Sequence, residues 1–319
     1  MLINDFKKFK NSLSDIKILK TNLQFTKKEI NELDNIYNNF YLKKKNIKSK
    51  IEEHLDLSNG INDLNYLINN FNYPKKIKNK INSLKKIYKI NYNFNNTIVN
   101  ITIYHNKLNK KLVNELIDLI NFNIILFDNL DNKKQNLNIY IFNINLNKKI
   151  LINKKNELIN ENINSGYTQK YPNSNRDYIV LYRTEELKKV LIHELIHLYK
   201  FHSLSNLNSL KIYDLIKNTN NSFSIYEAYT ETFATLIYTF YFLKNSNKYN
   251  DLHNDYNELI KDQLLFSFLQ ASKVFYNQKI LNINNMKIIN ENTNAISYYI
   301  LKCVILNNLN FFKKMFNKK

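Results

Sequence analysis

The chain has 319 residues and a mass of 38.3 kDa, enough for one large domain or two modest ones. Two glycines and two prolines exclude collagen, flexible glycine-rich linkers and turn-rich barrels, and a single cysteine, Cys303, excludes a disulfide framework or a cysteine-based zinc finger and fits a reducing compartment. The net charge of +20 accompanies an asparagine content of about a fifth and no tryptophan. That composition is the imprint of A/T-rich codons, as in large DNA viruses, A/T-rich microbes or protists, so lysine and asparagine carry little functional signal. The charge is spread along the chain rather than gathered in one patch, so no specific nucleic-acid partner is expected. The start, MLINDFKKFK, lacks the apolar run of a secretory signal. The longest apolar stretches, 232–243 and 295–306, reach only about a dozen residues, short of a membrane span. The expected location is intracellular, cytoplasmic by default, or a virion or host cell for a viral source.

In chain order, residues 1–87 read as an N-terminal helical region, with Ile30, Leu33, Ile36, Tyr37 and Phe40 at three and four spacing. The lysine-rich stretch 43–50 reads as a solvated face, and Pro74 marks a boundary. The period changes to two over 88–104, where β-branched and aromatic residues alternate around an Asn95-Asn96 turn. A helix over 110–120 follows, then a strand over 137–146, a polar segment over 147–164, and a loop between Gly166 and Pro172. Residues 177–183 read as another strand. Beyond Thr184 the pattern is helical over 184–200, 208–217, 223–244, 252–277 and 293–313. Three regions are expected: 1–87 helical, 88–200 with a sheet, and 201–319 helical.

The helix over 184–200 should be capped by Thr184, with Glu185 and Glu186 in its first turn. It contains His193-Glu194-Leu195-Ile196-His197. Residues four apart share a helix face, so both imidazoles can address one ion, and a neutral imidazole is a good zinc ligand. Glu194 can then act as general base toward a water activated by that ion. Val190, Leu191, Leu195 and Leu198 surround the motif with apolar side chains, as a buried active-site helix requires. A catalytic zinc needs a third protein ligand. His202 arrives one residue early for the H-E-x-x-H-x-x-G-x-x-H spacing, and Lys200 stands where its glycine would be. Downstream, Glu227 and Glu231 lie four apart on a strongly apolar helix. Like charges so placed repel unless cations compensate, which a zinc ion and its imidazole would do. Glu227 would then bind the metal and Glu231 would accept the other ring N–H of a ligating histidine. A solvated acidic face is the plainer alternative.

The run Glu227-Ala228-Tyr229-Thr230-Glu231-Thr232-Phe233-Ala234-Thr235-Leu236 resembles the thermolysin-type glutamate helix E-A-x-S-D-x-F-x-x-L. With HELIH before it, the chain resembles the gluzincins, zinc metallopeptidases that hold zinc with two histidines and a glutamate. The resemblance is specific over residues 184–239. It implies one zinc per chain on His193, His197 and Glu227, with Glu194 as general base and Glu231 in place of the family's aspartate that accepts the ring N–H of a ligating histidine. It also implies a zincin-like α+β fold: a small mixed sheet with the active-site helix, followed by a helical subdomain. Its substrate is a peptide or protein that adds to an edge strand, for which 177–183 and 165–168 are the candidates. The N-A-F-W strand motif of the thermolysin group is missing, so the likeness is to the wider gluzincins. The family's oxyanion donor is a tyrosine or histidine of the C-terminal half, here Tyr213, Tyr226, Tyr229 or His253. Peptide-bond hydrolysis, with endopeptidase action as the default, is therefore the expected activity. Rivals are a catalytically inactive zincin-fold binding protein, an effector with a single protein target, and a basic nucleic-acid-binding protein whose HELIH is accidental. His54 and His105 read as structural and Cys303 as a small buried hydrophobe. The sequence carries no mark of oligomeric state.

Overall fold

Asn95 and Asn96 both adopt left-handed backbone, with φ of 48° and 65°, and close the hairpin expected between two alternating segments. In this computed structural model the described residues are 24–45, 47–71, 73–130, 136–146, 164–171, 177–184, 186–200, 224–246, 248–277 and 296–307. The hairpin strands are β2 (Lys86–Phe94) and β3 (Thr97–His105), paired in register from Phe94 opposite Thr97 to Lys86 opposite His105. β4 (Asn136–Phe142) lies parallel to β3, and the helix α4 (Lys110–Asp128) makes the crossover between them. Asn109 caps α4 by accepting from the Leu112 N–H at 3.1 Å. The helix outruns its expected end at 120 because Asn121–Phe127 is buried on all sides and so shows no amphipathic period.

Among the described residues the sheet has six strands in the order β1-β2-β3-β4-β6-β5. β6 (Tyr178–Leu181) is parallel to β4, and β5 (Gly166–Gln169) is antiparallel to β6 and ends the sheet. The edge strand is therefore the 165–168 candidate, and the alternative at 177–183 is an interior strand. The opposite edge is β1 (Lys48–Asp56), antiparallel to β2, which corrects the purely helical reading of 1–87. Its sequence KSKIEEHLD places charge on both faces, and Ile51 is exposed, so the strand shows no apolar alternation. The helices α2 (Ile61–Asn69) and α3 (Lys75–Ile81) bury Leu64, Leu67, Ile68, Ile77 and Ile81 in one core with Ile87, Tyr104, Phe142, Tyr178, Val180 and Tyr182 of the sheet. Residues 61–81 thus belong to the sheet's own core. The helix α1 (Lys27–Lys44) has the expected apolar stripe, with Ile30, Tyr37 and Phe40 buried and Tyr37 and Phe40 packed on Phe122 of α4. Thr26 and Glu29 form a capping box at its start.

The helix α5 (Leu187–Leu198) packs on β5, β6 and α4. By the pleat, Tyr178, Val180 and Tyr182 face α2 and α3, while Leu181 lies on the other side next to Gly166 and Val190 of α5. Thr184 is not its cap. The helix begins after Glu186, which takes a left-handed φ of 58°, and the Thr184 hydroxyl donates to the Ile144 carbonyl at 3.3 Å. The helix ends at Leu198, with Lys200 left-handed at φ 55°.

The described chain forms two compact units, one within residues 32–201 that contains the sheet, the other from residues up to 31 and from 202 onward. In the second, the helices α6 (Ile225–Ser246) and α7 (Leu252–Asn277) pack with a π-helical segment (Ile296–Leu301) that runs on into α8 (Lys302–Asn307). The span 293–313, read as one α-helix, thus contains a π-helical stretch. Three buried threonines of α6, Thr232, Thr235 and Thr239, return their hydroxyls to carbonyls four residues back at 2.7–2.8 Å, so an almost wholly buried helix tolerates them. Phe25 is bound into this unit by Asn257, which accepts from its N–H at 2.7 Å and donates to its carbonyl at 3.1 Å. The molecule is of mixed α+β class, and no helix among the described residues is long and apolar enough to cross a membrane.

Candidate metal centre

α5 buries Leu191, Ile192, Leu195, Ile196 and Leu198, which fixes the rotation of the helix and hence the direction of its polar residues. His193 and Glu194 are buried, and His197 is partly buried. The Nε2 atoms of His193 and His197 face each other at 3.0 Å, with ring planes at 70°. Nitrogens about 2.0–2.1 Å from a tetrahedral zinc stand about 3.4 Å apart, so the imidazole pair is spaced close to what one ion requires.

Glu194 is held from the edge strand. The Thr168 hydroxyl of β5 lies 2.7 Å from Glu194 Oε2 and 3.0 Å from the Glu194 carbonyl oxygen, and its single proton serves one of them at a time. Behind it, burial pushes the Tyr182 phenol far above its ordinary value; Arg183 opposes that rise and the Glu194 charge adds to it. This contact from Thr168 is one that sequence reasoning missed.

In the second unit, Ser224 precedes α6 and its Oγ accepts from the Glu227 N–H at 3.3 Å, so Glu227 stands in the first turn, where a carboxylate is favoured. The Tyr298 hydroxyl donates to Glu227 Oε2 at 3.2 Å. Glu231, one turn on, is buried and takes an ion pair from Lys302 Nζ to Oε1 at 3.2 Å. The solvated-face alternative for these carboxylates does not describe Glu231. His193 and His197 belong to the unit that contains the sheet, and Glu227 and Glu231 belong to the other.

No family model and no solved structure matches the chain. It is 24% identical over 218 residues to an uncharacterized protein of Acanthamoeba polyphaga mimivirus, an alignment covering 63% of this chain and 54% of that protein. The chain thus spans about half the length of the relative it matches.

The oxyanion candidates are scattered. Tyr229 is buried in α6, and burial raises its phenol well above the ordinary value. Tyr226 is exposed. His253 sits at the start of α7 with Nε2 at 2.7 Å from the Phe25 carbonyl, an anchoring contact for the chain entering α1. Tyr213 and His202 lie outside the described residues. Tyr298 and Lys302 were not legible in advance, because only the packing of the C-terminal segment on α6 brings them to the glutamates. His105 is buried, as its structural reading requires. Cys303 is also buried, which pushes its thiol up to about 12.

Proposed function

We propose that the chain is a zinc-dependent peptidase of gluzincin type, with one zinc held by His193, His197 and Glu227. The pair of imidazoles on α5, with Nε2 atoms 3.0 Å apart and the Glu194 carboxylate held beside them, carries the reading. Two imidazoles and a carboxylate form a borderline donor set that suits zinc and leaves a position for water. Zinc in such a set polarises a carbonyl and acidifies a water molecule.

The remaining chemistry belongs to the chain. Glu194, oriented by Thr168, takes a proton from the water that adds to the scissile carbonyl carbon. It returns that proton to the departing amine as the C–N bond breaks. Tyr298 steadies the Glu227 carboxylate, and Glu231 accepts a ring N–H from a ligating histidine. β5, which ends the sheet among the described residues, is the strand to which an extended peptide adds, beside the helix bearing Glu194. The sheet order, the crossing of α5 beneath β5 and the glutamate helix that follows all support a zincin-like arrangement.

The deciding experiment measures metal content after dialysis without chelator, then turnover of a peptide library by the wild type and by Glu194→Gln. About one zinc per chain in both proteins is expected, with turnover in the variant lower by on the order of 10²–10⁴-fold. A folded wild type that refuses zinc would overturn the reading. Zinc without turnover in the wild type would favour a binding protein built on the same site.

A further inference from the structure

We propose that Lys302 is a positioning residue for the metal ligands: together with Tyr298 it clamps the two glutamates of α6 in the geometry that zinc requires. This rests on the zinc reading above and deepens it.

The clamp is a matched pair. Glu227 and Glu231 are four residues apart on α6, and the groups that meet them, Tyr298 and Lys302, are four residues apart on the C-terminal segment. Each contact is 3.2 Å long. A third contact sets the end of the clamp, where the Ser224 N–H, at the start of α6, donates to Ser297 Oγ at 3.0 Å. Ser224, Glu227 and Glu231 follow the three and four spacing of one helix face. On the opposing segment, Ser297 and Tyr298 are consecutive, and an ordinary α-helix would turn them about 100° apart. Ile296–Leu301 is wound as a π-helix, and such local widenings recur at functional sites.

Energetics indicate what the lysine is for. Lys302 is 6% exposed and flanked by buried Leu301, Cys303, Ile305 and Leu306. A buried ion pair contributes little net stability, because desolvation of both charges offsets their attraction, and an apolar pair of similar volume often does better. Stability therefore does not account for a lysine in this apolar segment. Its effect is on the two carboxylates, which repel each other across one helical turn. Lys302 offsets that repulsion at Glu231, and Tyr298 fixes the Glu227 oxygen it touches, so the ligand helix is ordered before the metal arrives. Partners behind a ligand shell typically change metal affinity by about 10–100-fold when removed.

The test is a zinc titration against a competing chelator for full-length wild type, Lys302→Met, Lys302→Arg, Glu231→Gln and the Glu231→Gln/Lys302→Met double variant. Circular dichroism of the metal-free proteins monitors folding. Lys302→Met should bind zinc about 10–100-fold more weakly, and Lys302→Arg, which keeps the charge, should recover most of that loss. The double variant should be no worse than the weaker single variant, because Lys302 acts through Glu231. If Lys302→Met does not fold, the double variant decides, since it leaves no unpaired charge; its zinc affinity must still fall about 10–100-fold. Wild-type affinity in a folded Lys302→Met or in the double variant overturns the clamp while leaving the zinc reading intact, as do losses that add. A wild type that binds no zinc overturns both.

Discussion

At the scale of single residues, Thr168 shows how a site depends on groups that carry no motif. Its hydroxyl is the contact to Glu194 from the edge strand, so Thr168→Val should leave zinc content unchanged and lower kcat by about tenfold through loss of orientation. Metal analysis alongside steady-state kinetics reads both quantities. His105 has a different consequence. It is buried, neither ring nitrogen has a hydrogen-bond partner among the described residues, and burial holds its pKa below the ordinary value, with His54 and Lys86 adding repulsion. In the unfolded chain the ring protonates near pH 6.5. As pH falls through that value the unfolded state takes the proton first, so stability falls with it until the lower folded value is reached. His105→Phe should flatten that slope, measured as urea midpoints between pH 7 and 5. HELIH and the glutamate pair were legible in the sequence because each lies within one helix, where spacing alone fixes the face. Thr168, Tyr298 and Lys302 were not, because each reaches its carboxylate from a separate element. Tyrosine and lysine are also common enough in this chain to go unnoticed.

At the scale of elements, the seating of β5 over α5 depends on Gly166. A Cβ there would stand 2.8 Å from Leu181 Cδ2, 2.9 Å from the Val180 carbonyl oxygen and 3.0 Å from Val190 Cγ1. The carbonyl belongs to the neighbouring strand's backbone and has no rotamer to change. Gly166→Ala should cost about 1–3 kcal/mol by thermal or denaturant unfolding. The interior elements were the legible ones. β2 and β3 alternate and carry an asparagine pair at their turn, and α7 spans the 252–277 expected from its periodicity. β1 was missed because an edge strand needs no apolar face, and its charged residues imitate a solvated helix. The π-helical stretch was missed because three and four spacing cannot reveal an extra residue in a turn.

At the scale of the whole molecule, metal removal should matter to stability as well as activity. An ion that binds only the folded chain stabilises it by about 2.7 kcal/mol at a hundred times its Kd. A chelator should therefore lower Tm, and added zinc should restore it, which differential scanning calorimetry would show. The sequence placed a division at 87/88, where the change from period 3.6 to period 2 is sharpest, yet α2 and α3 share a core with the strands that follow. Periodicity marks where an element begins, whereas the limits of a compact unit depend on which apolar faces meet. The shortness of β5 sets a length scale. Four residues of strand run about 13 Å, and only alternate residues direct their N–H and C=O toward a given side. A peptide lying along β5 can be gripped over a span of roughly two residues on either side of the bond it presents. Such a grip holds main chain in register but reads little of its sequence, so discrimination among proteins would have to come from surfaces beyond this strand.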